Sequence, residues 1–346
     1  MRRTRRAVLA GLATLGVGAL APAPRARADL PGPVPLDVRT YPVPHFGSSG
    51  LVDGLYGRLR YRAGLELQSS QPAFGGFSSL VRLDDGASLR VVSDHGYWLA
   101  ADLVRGARGE IVDIADAMLA PLLGADGALL WRNGLYDAEA LTLDGAIAYV
   151  GFEQEQVVYR YDIRAGVSGP GERVLAPASV RAALDLWPAN KGIESLFVAR
   201  APSPLAGSLI AIAERSRRGP DAATAGIVLA GPGAGATFEV ARSEDFEITD
   251  AAVLPGGDVL LLERRYSLVG GVAARIRRVA AADIAPDAVL DGPAIFEADW
   301  TNAIDNMEGL AVHRGPAGET LLTLVSDDNF SMFQRTLLLE FELVDG

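Results

Sequence analysis

The sequence predicts an all-β protein: a β-propeller of five or six blades, with the ring closed by strands from both termini. Three observations carry this. One short motif recurs five times, each copy holds two apolar strands joined by a turn, and glycine supplies 39 of the 346 residues. The copies begin at Ser78, Glu139, Glu194, Asp250 and Glu308, 55 to 61 residues apart. Each opens on an acidic or hydroxyl residue, then a small residue, an apolar strand, a turn and a second strand ending on a carboxylate. A period near fifty with several strands per unit marks sheets that close radially around a channel. Equivalent positions then converge in space.

Along the chain, Arg2, Arg3, Arg5 and Arg6 precede an apolar stretch from Ala7 to Ala21, and Ala26-Arg27-Ala28 offers a small-x-small cleavage site. Residues 1–28 therefore read as a twin-arginine-type signal peptide and residues 29–346 as one domain. The apolar stretch is too short and too rich in glycine to span about 30 Å of hydrocarbon. Two strands are expected around Leu36–Val43 and Leu59–Gln68. Within the repeats, Pro255-Gly256-Gly257-Asp258 followed by Val259–Leu262 is the clearest hairpin. Third strands are expected at Val157–Ile163, Ile227–Ala230, Arg275–Val279 and Thr336–Val344. Ile111–Leu123 and Val180–Leu186 read as short helices, and Ala222–Gly235 as a stretch containing a flexible surface loop. The 87 residues outside the repeats either complete the fifth blade or form a short sixth.

Charge narrows the partners. Loss of residues 1–28 removes six arginines and no acid, taking the formal charge from −11 to −17. Nucleic acid and anionic membrane surfaces need a basic footprint and are excluded; a cation, or a substrate delivered with one, suits the field. No cysteine is present, so stability comes from core burial without disulfides. A monomer is expected. Lys191 is the only lysine among 32 basic residues.

The chemistry-bearing residues form two groups. Asp137-Ala138-Glu139, Asn190-Lys191-Gly192-Ile193-Glu194, Thr249-Asp250 and Asp305-Asn306-Met307-Glu308 each precede an innermost strand at one mouth of the channel. Two carboxylates about 5 Å apart repel by about 3 kcal/mol at an effective dielectric near 20. A hard cation among them, paired arginines, or bound protons must compensate. Oxygen-only donors favour Ca2+ or Mg2+ over zinc, giving Glu139, Glu194, Asp250 and Glu308 as candidate metal ligands. The other reading is that each glutamate ties blade to blade through backbone N–H groups. The second group ends the second strands: Asp94, Glu153, Glu214-Arg215, Glu263-Arg264 and Asp327-Asp328. Strand alternation prevents Glu and Arg of one pair from facing the same way. Arg215, Arg264 and Lys191 are candidates for holding a phosphoryl or carboxyl group, with inter-blade salt bridges as the alternative. His95 follows Asp94 at a strand end and is a candidate acid–base residue; His313 reads as packed. Trp98, Trp131, Trp187 and Trp300 read as inter-blade core. No nucleophile elbow or phosphate-binding loop is present.

At Asp137–Leu141, Asn190–Leu196, Glu263-Arg264, Asp305–Leu310 and Ser326–Phe330 the chain resembles the exported "esterase-like activity of phytase" family, a phytase-like branch of the propellers. One departure is Ser93-Asp94-His95-Gly96, where the family pattern leads one to expect arginine before the glycine. The resemblance implies hydrolysis of a small anionic ester or phosphoester after export to the periplasm or beyond. By analogy with alkaline propeller phytases it implies Ca2+, ahead of Mg2+. Glu194 or Asp327 is the expected catalytic base. A calcium-dependent lactonase-like propeller is the enzymatic alternative, and a binding or scaffold propeller the non-catalytic one.

Overall fold

The computed structural model describes residues 30–47, 54–83, 86–216, 218–219, 222–267 and 270–344. The expected signal peptide lies outside them. The five repeats build five sheets, antiparallel except for the outer pair Thr237–Val240 and Val289–Leu290 of the third, and their innermost strands are Phe77–Arg82, Ala138–Asp144, Ile193–Val198, Glu247–Val253 and Asn306–Arg314. Each packs against the next, and the fifth against the first, which closes a five-bladed propeller.

The termini meet in the fifth blade. Leu59–Ser69 lies antiparallel beside the C-terminal strand Thr336–Leu343, and Val38–Pro42 adds the outer edge. The residues outside the repeats thus complete the fifth blade and form no sixth, leaving no long edge strand open between the chain ends. Val34–Pro35 pairs with Ile111–Pro121 on the first blade, so the N-terminal segment spans the boundary between first and last blades.

One expectation changes. Ile111–Pro121 is the fourth strand of the first blade and not a helix. Two register shifts against Tyr97–Arg105 insert extra residues, which puts Ile111, Ile114 and Ala117 all on the buried side. Bulges thereby convert a period of two into apparent helical spacing. The stretch rich in Ala and Gly contains the expected third strand, which runs Thr224–Ala230 and is paired on both edges, followed by a surface turn at 231–235. Its small residues answer packing: a Cβ on Gly226 would overlap the Phe238 ring. The other expected helix forms at Ala178–Leu184.

The core sits between blades. Phe46, Tyr61, Phe296 and Phe341 cluster at the fourth–fifth boundary with ring centroids 5.0 to 5.8 Å apart. Each such ring, once buried, contributes about 1.5–3 kcal/mol. Trp98 and Trp187 fill core as expected, but Trp300 is 68% exposed. Among the described residues no helix is long and apolar enough to cross a membrane.

Candidate functional site

Every innermost strand shifts register at one residue against its neighbour. The skipped residues are Ser78, Glu139, Glu194, Thr249 and Glu308. A bulge re-aims the side chain it carries, so one bulge per blade defines a ring of five equivalent positions. The fourth member is Thr249, one residue before the expected Asp250. A one-residue slip in a strand turns a side chain to the other face, and Asp250 indeed lies apart. Its buried carboxylate accepts from Ser79 Oγ and Leu310 N, both at 2.8 Å, and from Ala251 N. It ties the first, fourth and fifth blades together inside the channel.

The second strands end opposite these bulges. Ser93, Phe152, Ala213, Glu263 and Ser326 pair beside them, so the next residues form a second ring: Asp94, Glu153, Glu214, Arg264 and Asp327. Four blades supply a carboxylate and the fourth supplies arginine. Both rings contribute to a cavity of about 210 Å3 lined by Asp94, Glu139, Glu153, Glu194, Glu214, Arg264, Glu308 and Asp327, with Asp137, Lys191 and Asn329. Eight carboxylates there face two cations.

The cations are engaged. Lys191 Nζ lies 2.6 Å from Glu214 Oε2. Arg264 Nη1 lies 3.0 Å from Glu308 Oε1 and donates to Asn306 Oδ1 at 2.7 Å, while its Nη2 reaches Glu214 Oε1 at 3.4 Å. Burial alone would lower the Arg264 pKa, but Glu308, Glu194, Glu214 and Glu139 reverse that and raise it. Strand alternation sends Glu263 away from the cavity to Arg275 and Arg277, as expected for that pair. In the third blade the phase is opposite: Glu214 faces the cavity and Arg215 turns away to an ion pair with Glu247. Arg215 thus takes the inter-blade salt-bridge arrangement.

The carboxylates are short of compensation. Burial, then Asp137 and Glu214, pushes Glu153 up to about 8, against Lys191 and the Gly192 N–H that donates to its Oε1 at 3.0 Å. A Cβ on Gly192 would overlap the Gln156 amide, so this close approach requires glycine. Burial pushes Glu308 up to about 7 against the pull of Arg264. Glu139 and Asp327 are raised by burial, then by neighbouring acids. Glu194 is 6% exposed, and among the described residues its carboxylate has no hydrogen-bond or salt-bridge partner. Burial, then Glu214, Glu139, Glu308 and Glu153, raises its pKa. Ligand oxygens of Glu153, Glu194 and Glu214 lie within 4.8 Å of one another.

Of the expected site residues, the cavity brings together Glu139, Lys191, Glu194, Arg264, Glu308 and Asp327, and leaves out Asp250, Arg215 and His95. His95 turns aside and stacks on Phe330, centroids 4.1 Å apart and 13° between planes. His313 is buried; burial, then Arg82 and Arg105, holds it down to about 3, so it packs as a neutral imidazole. Glu153 and Glu214 were absent from the expected ligand set. Their signal was their place one residue past the strand position opposite each bulge.

No match was found among curated proteins. A family model does match, over residues 72–330. The chain belongs to the phytase-like family described as "esterase-like activity of phytase".

Proposed function

We propose that the protein is an exported, metal-assisted hydrolase of phosphoesters or simple esters, working at the acidic mouth. The supporting observation is Glu194: a buried carboxylate without a hydrogen-bond or salt-bridge partner among the described residues, with oxygens of Glu153 and Glu214 within 4.8 Å. Three hard oxygen donors, of which only Glu214 has cationic partners, suit Ca2+, and Mg2+ less well because it demands a near-ideal octahedron. In this reading Glu153, Glu194 and Glu214 hold the cation. Glu139 and Glu308, also expected as ligands, line the remainder of the cavity. A bound Ca2+ would polarise the ester oxygen and offset negative charge developing there.

The chain's own groups supply the rest. Asp327 accepts a hydrogen bond from Asn329 N at 2.7 Å and lines the cavity, a position suited to taking a proton from an attacking water. Arg264 and Lys191 hold the neighbouring carboxylates in place and supply positive charge beside the reacting group. His95, stacked at the loop that carries Asn329, holds that loop and is not assigned the proton transfer.

The reading is tested by screening the mature protein on phosphomonoesters, carboxyl esters and lactones, with calcium and with chelator. Calcium-dependent turnover of an ester supports it. Exclusive turnover of lactones would move the assignment to the lactonase alternative, and a purely stabilising effect of calcium would favour a scaffold. Export is part of the proposal: mature protein beginning near Asp29, and its loss on Arg5-Arg6→Lys-Lys, are expected. An intact N-terminus in the exported fraction contradicts it.

A further inference from the structure

We propose that this mouth selects an ester of low charge, with an apolar acyl or aryl group seated on Met332 and Phe333, and rejects polyphosphorylated substrates. The inference rests on the hydrolase reading above. It starts from charge: of the described residues lining the cavity, only Lys191 and Arg264 are cationic, and both already hold carboxylates. A ligand with several phosphoryl groups needs several cations presenting N–H donors. Diverting Arg264 to such a ligand would leave Glu308 buried without its cationic partner, held only by the Asn306 amide.

The rim carries exposed apolar side chains beside Arg215, Arg218 and Arg335, each of which is paired with a carboxylate. Leu186, Tyr266, Trp300, Met332 and Phe333 are 66%, 71%, 68%, 82% and 90% exposed. All five lie in the strand ends and connections at the acidic mouth, either before an innermost strand or between second and third strands. Met332 and Phe333 share one connection with Asn329, which lines the cavity. The base of that connection is held: Asp328 Oδ1 accepts from Gly76 N at 3.1 Å and from Phe330 N at 3.0 Å, and Phe330 stacks on His95. A held base with an apolar tip presents a seat at low ordering cost.

A groove of about 670 Å3 runs beside this connection, with Phe74, Phe330 and Met332 among Ser69, Gln71 and Gln334. Its only arginine among the described lining residues, Arg335, is engaged by Asp305. The groove, lined also by Glu66 and Asp328, therefore offers apolar contact, hydrogen-bonding groups and negative charge, and among the described residues no unpaired cation for a phosphoryl group.

The test compares 4-nitrophenyl butyrate, 4-nitrophenyl phosphate and inositol hexakisphosphate on calcium-replete mature protein at low and high ionic strength. The butyrate ester is expected to have the highest kcat/KM, unchanged by salt. Any turnover of the anionic esters should rise with salt, because screening weakens repulsion from the mouth. A Met332→Ser/Phe333→Ser double variant, both sites being exposed, should raise KM for the butyrate ester about tenfold at unchanged kcat. Faster hydrolysis of inositol hexakisphosphate, slowed by added salt, overturns the proposal while leaving the hydrolase reading intact. An unchanged KM in the double variant overturns the apolar seat. Turnover of none of the three, with calcium present, removes the hydrolase reading and this inference with it.

Discussion

Arg264 Nη1 sits 3.0 Å from Glu308 Oε1 across the boundary between the fourth and fifth blades, where the other four blades place a carboxylate in the position of Arg264. This one exchange of charge divides the acidic mouth. Glu308 is compensated from within the protein, whereas Glu194 is not.

Removal of Arg264 should therefore cost more than a surface pair would. Arg264→Met leaves Glu308 buried and uncompensated, and a loss of about 3–5 kcal/mol is expected in urea unfolding. Adding Glu308→Gln should restore part of that loss, because the stranded charge is gone. An unfolding midpoint for Arg264→Met equal to wild type would show that the pair does not hold the two blades.

The raised carboxyls give a pH dependence of definite sign. Burial raises Glu153 to about 8 and Glu308 to about 7, above the usual 4.5. The folded state then keeps protons that the unfolded chain has released, so stability falls as pH rises from 4.5 toward 8. His313, held down to about 3 from 6.5, destabilises only below pH 6.5 and is silent above it. Metal-free protein should thus lose stability between pH 6.5 and 8, by up to about 1.4 kcal/mol per pH unit for each proton retained. Saturating Ca2+ should flatten that decline. A melting temperature constant across this window in chelator would contradict the uncompensated-carboxylate account.

Asp250 separates structural from ligand roles. Asp250→Ala strands Ser79 Oγ and Leu310 N, both of which donate to it at 2.8 Å. Two buried donors without partners should cost about 2–5 kcal/mol. The increment in melting temperature on adding Ca2+ should remain that of wild type, since the side chain does not line the cavity. A selective loss of the calcium response, with stability retained, would return Asp250 to the ligand set.

Much of this was legible in the residues. The period near 57, the hairpin at Pro255–Asp258 and the carboxylates ending the second strands led to the propeller and to its acidic mouth. Two things were hidden. The phase of the fourth repeat was ambiguous because Thr249-Asp250-Ala251 offers two polar residues where the other repeats offer one glutamate or a pair of serines. The bulge at Thr249 resolves it, placing Asp250 level with the small residues Ser79, Ala140, Ser195 and Gly309. Strand Ile111–Pro121 was masked by its own bulges, which mimic helical spacing. The grouping of Glu153 and Glu214 with Glu194 depends on cross-strand register, which no local motif displays.

The central claim is that Glu153, Glu194 and Glu214 hold a cation. Calorimetric titration of Ca2+ into the protein and its Glu194→Gln variant tests it most directly. Wild type should bind one ion and gain about 2.7 kcal/mol of stability at a hundredfold excess over Kd. Glu194→Gln should bind at least about tenfold more weakly, because an amide is a poorer ligand for a hard cation than a carboxylate, and should be the more stable protein without calcium. Equal Ca2+ affinity in wild type and Glu194→Gln, or no binding in either, would contradict it.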